Sequence, residues 1–179
     1  YHSERKKVVQ KKFFDATFSV MGHIAKADGH VSPQEIQMAE VLMQEMRLNK
    51  QQKELAKGLF TAGKQTTFRL DIMLRELKNA CGDNRELLKL FIDIQYRAAQ
   101  VDGLSVNKIK VLDIIFTHLG FAPLHQQYKF YEDFGYSNGS KQSPEQEAQN
   151  RSQQQEHERR QQNYRTYQPN YSSKGYLDH

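Results

Sequence analysis

The chain has 179 residues, of which 37% are apolar and 26% charged, with a net charge of +5 and a mean hydropathy of −0.83. This length suits one ordinary domain with additional segments. Its single cysteine, Cys81, excludes an intramolecular disulfide and is typical of a reducing compartment. No apolar run in the chain approaches the roughly 20 residues that a membrane-spanning helix needs.

The basic excess lies at the start of the chain. Residues 1–12 hold five basic side chains and one acidic, whereas residues 13–134 hold 15 of each sign. A nucleic-acid-binding fold would need basic residues clustered on the folded part, so this distribution disfavours one. The positive-inside rule instead places such a segment just cytoplasmic of a membrane helix. We interpret residues 1–12 as a basic juxtamembrane segment; a solubilising or nucleic-acid-contacting tail fits the same composition.

Residues 135–176 contain no Ile, Leu, Val, Met or Phe and are rich in Gln, Asn, Ser, Arg and Tyr. Such a segment cannot bury enough apolar surface to offset the entropy lost on ordering. Residues 135–175 are therefore predicted to form a disordered, Gln-rich linker. Because a linker joins two folded parts and apolar residues return at Leu177, a further domain is expected to begin near residue 176.

Helical periodicity runs from about residue 8 to residue 134, without a convincing alternating strand pattern. It predicts an all-α fold, a compact bundle of about seven helices over residues 13–134, followed by the disordered tail. The apolar faces predicted for the first six helices are Phe14, Phe18, Met21 and Ala25; Ile36, Ala39, Met43 and Met46; Leu55 and Leu59; Leu70, Met73, Leu74 and Leu77; Leu87, Phe91, Ile94, Ala98 and Val101; Ile109, Leu112, Phe116 and Leu119. A shorter seventh helix is predicted from Pro123 to Phe134.

Two predicted helices end in the same signal. Asp28-Gly29 and Asp102-Gly103 lie 74 residues apart, and each precedes a short turn and a new helix. After the first, Ser32, Pro33 and Glu35 form the pattern of a capping box. The repetition suggests two helical hairpins related by approximate twofold pseudosymmetry, although Asp-Gly is also a common way to end a helix.

The chain contains no phosphate-binding loop, His-Glu-x-x-His, nucleophile elbow or Cys-x-x-Cys motif. Cys81 is predicted to be a small core or helix-end residue. His118 lies near the end of the sixth helix, where a cation suits the helix dipole. The sequence therefore predicts a protein that is not an enzyme.

Three acidic residues near the Asp-Gly turns are candidate metal ligands: Asp28, Glu35 and Asp102. Hard divalent cations prefer several carboxylate and carbonyl oxygens, and Asp28 and Glu35 would supply two if the first turn folds back. The spacing is not that of an EF-hand. A purely structural interpretation accounts for the same residues, with Gly29 making the left-handed turn and Glu35 closing the capping box. No other cofactor is indicated.

The segments from Phe13 to Lys26 and from Phe91 to Ala99, each followed by an Asp-Gly turn, resemble a known family. They are similar to the cytoplasmic N-terminal domain of the DjlA family of bacterial inner-membrane DnaJ-like co-chaperones, a domain itself similar to the tellurite-resistance protein TerB. The resemblance covers roughly residues 10–122.

The resemblance implies an order of segments: a membrane helix, a basic segment, a TerB-like domain, a linker and a J domain, of which residues 176–179 would be the start. It implies stimulation of DnaK (Hsp70) through that J domain, an unknown client or partner on the helical domain, and homodimerisation through the membrane helix. The His-Pro-Asp motif of J domains is absent from residues 1–179, so this part alone is not expected to stimulate DnaK.

The resemblance also implies acidic residues after each Asp-Gly turn, proposed in TerB-like domains to bind metal. Asp28 and Glu35 match this pattern in the first turn. The second turn is one residue shorter and has Lys108 where an acid is expected. This departure disfavours a symmetric two-metal site.

Three other functions fit less well. A stand-alone TerB-like metal-binding stress protein would bind metal and lack a following domain. A nucleic-acid binder would use the basic start and the Arg- and Tyr-rich linker with strong salt dependence. An enzyme is the least favoured, because no poised nucleophile or acid–base pair is evident.

Overall fold

The computed structural model describes residues 2–124 and positions 148–149, 151–153, 155–156 and 159. Within residues 2–124 there is no strand. The six α-helices are α1 (His2–Ala25), α2 (Pro33–Glu45), α3 (Lys50–Gly63), α4 (Leu70–Cys81), α5 (Arg85–Ala99) and α6 (Val106–His118). A 3₁₀ turn follows α1 at Lys26–Asp28, and another follows α5 at Gln100–Asp102.

The all-α prediction is confirmed. Of the predicted seventh helix, residues 125–134 lie outside the described residues, as do residues 176–179 and most of the predicted linker. The described positions between 148 and 159 are helical. Among the described residues, no helix combines the length and apolar character needed to cross a bilayer.

Helix α1 begins six residues before the apolar periodicity does, at His2. The basic segment therefore forms the first turns of α1. Periodicity missed these turns because Arg, Lys and Glu are good helix formers that offer no apolar face. From Phe13 onward α1 is mostly buried, and it packs against each of the other five helices.

The core around α1 contains aromatic contacts and a buried amide that joins two helices. Phe13 meets Phe91 of α5 edge-on, with ring centroids 6.0 Å apart, and Phe14 meets Phe18 at 5.1 Å. Gln95 of α5 is fully buried and its Nε2 donates to a main-chain oxygen of α1 at 3.0 Å. This hydrogen bond fixes the register of α5 against α1, because an unpaired buried amide is costly.

Two predicted core residues are exposed, which corrects the faces assigned to α2 and α3. Ile36 is 48% exposed and Leu55 is 46% exposed. On α2 the side chain of the capping residue Glu35 points inward, so that of the following residue, Ile36, points outward. The buried face of α3 is instead Gln52, Ala56, Phe60 and Gly63.

Small residues on the buried face of α3, Ala56 and Gly63, allow the backbone of α3 to contact that of α1. A Cβ atom added to Gly22 of α1 would lie 2.1 Å from the carbonyl oxygen of Phe60. One added to Gly63 of α3 would lie 1.8 Å from the carbonyl oxygen of Ser19. Real Cβ atoms never come this close to main-chain oxygens, so both positions require glycine.

The crossing of α1 and α3 generates a testable prediction. We expect Gly22→Ala and Gly63→Ala each to lower the free energy of unfolding by about 1–3 kcal/mol or more, because the clash is with rigid backbone. Gly58→Ala on α3 is the matched control. An added Cβ there meets nothing within 4 Å, so better helix propensity should stabilise the fold by about 0.5–1 kcal/mol. Urea unfolding of the three variants measures this, and equal effects at Gly58 and Gly63 would contradict it.

Candidate functional site

The two Asp-Gly turns have the same construction. Each helix ends in a 3₁₀ turn, a glycine with positive φ follows, and a serine caps the next helix. Gly29 has a φ of 90° and Gly103 a φ of 99°, which only glycine adopts readily. Ser32 caps α2 and Ser105 caps α6, each accepting a hydrogen bond from the backbone N–H of the third helical residue. The sequence-predicted capping box at Ser32 and Glu35 is confirmed.

The two turns also cross. Helix α2 packs on the second 3₁₀ turn, and α6 packs on the first. The Ser105 hydroxyl donates to Asp28 Oδ1 at 2.8 Å, and the Ser32 hydroxyl lies near the Asp102 carboxylate and helps to lower its pKa. Each capping serine therefore lies beside the aspartate of the opposite turn. This reciprocal pairing supports the predicted pseudosymmetry of the two hairpins.

The symmetry breaks at the third residue of each capped helix. In α2 this residue is Glu35, whose Oε1 accepts a hydrogen bond from the backbone N–H of Ser32 at 3.0 Å. In α6 it is Lys108, which cannot accept such a bond. The Lys108 side chain instead turns inward, where the residue is only 2% exposed.

The ammonium of Lys108 lies among four oxygen atoms. Its Nζ is 2.6 Å from Asp102 Oδ1 and 3.4 Å from Glu35 Oε2. It also donates to the carbonyl oxygens of Ala99, at 3.1 Å, and Gly103, at 3.3 Å. Glu35 Oε2 is buried and forms no hydrogen bond within the described part of the chain, so its charge is balanced by this ammonium.

The charges at this site stabilise one another. Burial by itself would lower the pKa of Lys108, but the hydrogen bond to Asp102 and the charges of Glu35 and Asp102 raise it above 10.5. Burial by itself would raise the pKa of Asp102, yet the hydrogen bond from Lys108 and the nearby Ser32 hydroxyl hold it below 3.8. Lys108 and Asp102 are therefore both charged at neutral pH.

The structure brings two of the three predicted metal ligands together. Glu35 and Asp102 meet at Lys108 Nζ, whereas Asp28 is exposed and bonded to Ser105. In the part of the chain that the structure describes, no three His, Cys, Asp or Glu side chains are arranged to hold a metal ion. The oxygen atoms present thus suit the chain's own ammonium, and metal binding by these residues stays a prediction.

The other residues considered from the sequence lie apart from this site. Cys81 is the last residue of α4 and is buried, as predicted. Burial raises the pKa of its thiol to about 11, which leaves it a poor nucleophile at neutral pH. His118 ends α6, as predicted, and its Nδ1 is buried without a hydrogen-bond partner among the described residues.

The sequence did not predict that the Lys108 side chain points into the protein. Its only sequence signal is a lysine at the third position after a capping serine, where an acid would complete a capping box. Periodicity does place residue 108 one turn before Leu112, which is fully buried, but a lysine there is ordinarily assumed to reach solvent.

Lys108→Met generates the second prediction. Removing the ammonium leaves the Glu35 carboxylate buried without a counter-charge, so we expect the free energy of unfolding to fall by about 3–5 kcal/mol. Lys110→Met, at an exposed position of the same helix, should change it by less than about 0.5 kcal/mol. Chemical denaturation of both variants measures the difference. Similar small effects would show that the buried ion pair contributes little.

Comparison with known proteins agrees with this architecture. The family described as "Tellurite resistance protein TerB" matches residues 14–121, more than half of the chain. These residues include the second half of α1, helices α2 to α6 and both Asp-Gly turns. No solved structure matches the chain significantly.

Similar proteins named "Co-chaperone protein DjlA" occur in several bacteria. One from Legionella pneumophila is 66% identical over 135 residues, covering 75% of this chain and 46% of that protein. One from Coxiella burnetii is 48% identical over 109 residues, covering 60% of this chain and 40% of that protein. One from Vibrio cholerae is 36% identical over 144 residues, covering 75% of this chain and 51% of that protein. The chain thus spans about half the length of these relatives or less. It belongs to the TerB family, and its TerB region is like that of the DjlA co-chaperones.

Proposed function

We propose that the chain is the cytoplasmic part of a membrane-anchored, DnaJ-like co-chaperone of the bacterial inner membrane, and that it acts by binding and not by catalysis. The observation that carries this proposal is the 66% identity to a DjlA co-chaperone over 135 residues, 75% of this chain. The matched parts cover only 40–51% of these relatives, which leaves room in them for an anchor and a J domain.

In this proposal each segment of the protein has a separate role. The helical domain, residues 13–134, recruits a client or partner protein, and residues 135–175 link it flexibly to a J domain that begins near residue 176. The J domain stimulates DnaK. A flexible linker keeps the J domain at a high local concentration near the recruited client. The membrane helix anchors the protein and brings two copies together.

The experiment compares two proteins in a DnaK ATPase assay. The full-length protein that contains this chain, reconstituted in nanodiscs, should raise the DnaK ATPase rate several-fold. Residues 1–179 alone should leave it unchanged, since they contain no His-Pro-Asp motif. Stimulation by residues 1–179, or its absence with the full-length protein, would contradict the proposal.

The basic start of α1 supports the proposed location. Residues 3–8 are exposed. Lys11 pairs with Asp15 and Lys12 pairs with Glu76, whereas Arg5, Lys6 and Lys7 form no ion pair within the described residues. These three cations extend from a folded part whose charges nearly cancel. The positive end of the helix dipole adds to them. We propose that this end faces the anionic lipids of the cytoplasmic leaflet.

Vesicle co-sedimentation tests this location. The chain should bind vesicles that contain phosphatidylglycerol and release them at high salt. Replacing Arg5, Lys6 and Lys7 by Gln should weaken binding about tenfold to a hundredfold, since each basic residue contributes about 1 kcal/mol at an anionic surface. The matched control replaces Lys50, Lys78 and Lys110, all exposed, and changes the net charge equally. Equal losses in both variants, or equal binding to neutral phosphatidylcholine vesicles, would contradict it.

A further inference from the structure

We propose that Lys108 is a built-in cation at the crossing of the two turns, and that the wild-type chain for this reason holds no divalent metal at Glu35 and Asp102. The proposal concerns how the two halves of the fold are held together and does not depend on the co-chaperone function.

The atoms around Lys108 Nζ are of the kind that a hard metal ion takes. Two carboxylate oxygens, from Glu35 and Asp102, and two carbonyl oxygens, from Ala99 and Gly103, lie between 2.6 and 3.4 Å from the nitrogen. Calcium uses carboxylate and backbone carbonyl oxygens at about 2.3–2.6 Å. The oxygen atoms thus surround a positive centre, but the centre is an ammonium.

The position of this ammonium has a mechanical consequence. Glu35 belongs to the hairpin of α1 and α2, whereas Asp102, Ala99 and Gly103 belong to the hairpin of α5 and α6. One positive charge therefore joins the two hairpins, as a bridging metal would. Because the ammonium is attached to the chain, the bridge forms without an external ligand.

A divalent ion would have to displace this ammonium. Lys108 is 2% and Glu35 4% exposed, so the side chain would have to leave a closed position before a metal could reach both carboxylates. A metal that entered beside the ammonium would add like charge within a few ångströms. Both routes oppose metal binding by the wild-type chain.

Replacing the lysine by an acid should reverse this preference. Lys108→Glu removes one positive charge, adds one negative charge and restores an acid at the third position of α6, matching Glu35 of α2. We expect wild-type chain titrated calorimetrically with Ca²⁺, Mg²⁺ or Zn²⁺ to give no binding heat up to millimolar metal. We expect the K108E chain to bind Ca²⁺ or Mg²⁺, with a midpoint of thermal unfolding several degrees higher in its presence.

Asp102→Asn in the K108E background is the control, and it should abolish both effects. Saturable metal binding by the wild-type chain that is lost on Glu35→Gln or Asp102→Asn would overturn the proposal. So would a folded K108E chain that no metal stabilises.

A second measurement uses only the wild-type chain, in case K108E does not fold. Brief acetylation with acetic anhydride followed by mass spectrometry reports the accessibility of each lysine. We expect Lys108 to react at least about tenfold more slowly than the exposed Lys110, because its reaction requires local opening. The ratio should be unaffected by EDTA or added Ca²⁺. Equal rates, or a Lys108 that Ca²⁺ makes reactive by displacing it, would overturn the proposal.

Discussion

The contact between α1 and α3 is the constraint on which the rest of the fold depends. At Gly22 and Gly63 the two helices approach so closely that no side chain fits between their backbones. Such an approach places α3 directly against the helix that touches every other helix of the bundle. It also explains why the buried face of α3 contains Ala56 and Gly63, while Leu55 is left at the surface.

The crossed turns supply the second constraint, and it is electrostatic where the first is steric. The two serine caps lie beside the aspartates of opposite turns, Ser105 donating a hydrogen bond to Asp28, and Lys108 balances the carboxylates of both hairpins. A buried ion pair adds little net stability compared with well-packed apolar groups, but breaking it is costly. The arrangement therefore favours one relative position of the hairpins over others that would leave a buried charge unpaired.

These two constraints fix the positions of the helices around α1, whose first turns are basic. The basic first turns of α1 continue the central helix, so their orientation is fixed by the same contacts that hold the core. Cys81 is buried and weakly nucleophilic, and Lys108 is held in a buried ion pair, so both residues contribute to the packing of the fold.

Local interactions account for what could be predicted from the sequence. Apolar periodicity located the six helices, apart from the first turns of α1, and the Ser32–Glu35 capping box and the two Asp-Gly turns depend on residues only a few positions apart. Hydrogen bonds within a turn are encoded within that turn, so the sequence by itself determined them. Resemblance to a family located the same elements, because it is carried by those helices and turns.

The tertiary structure decided what depends on distant partners. Whether Leu55 or Ala56 faces inward depends on how closely α3 approaches α1, which no property of α3 alone specifies. The helical start of α1 has no apolar face for periodicity to detect. Above all, a lysine is normally a surface residue, and Lys108 is buried only because Glu35, 73 positions earlier in the sequence, meets Asp102 where the hairpins cross. The fold, and not the local sequence, brought together the carboxylates that make this burial favourable.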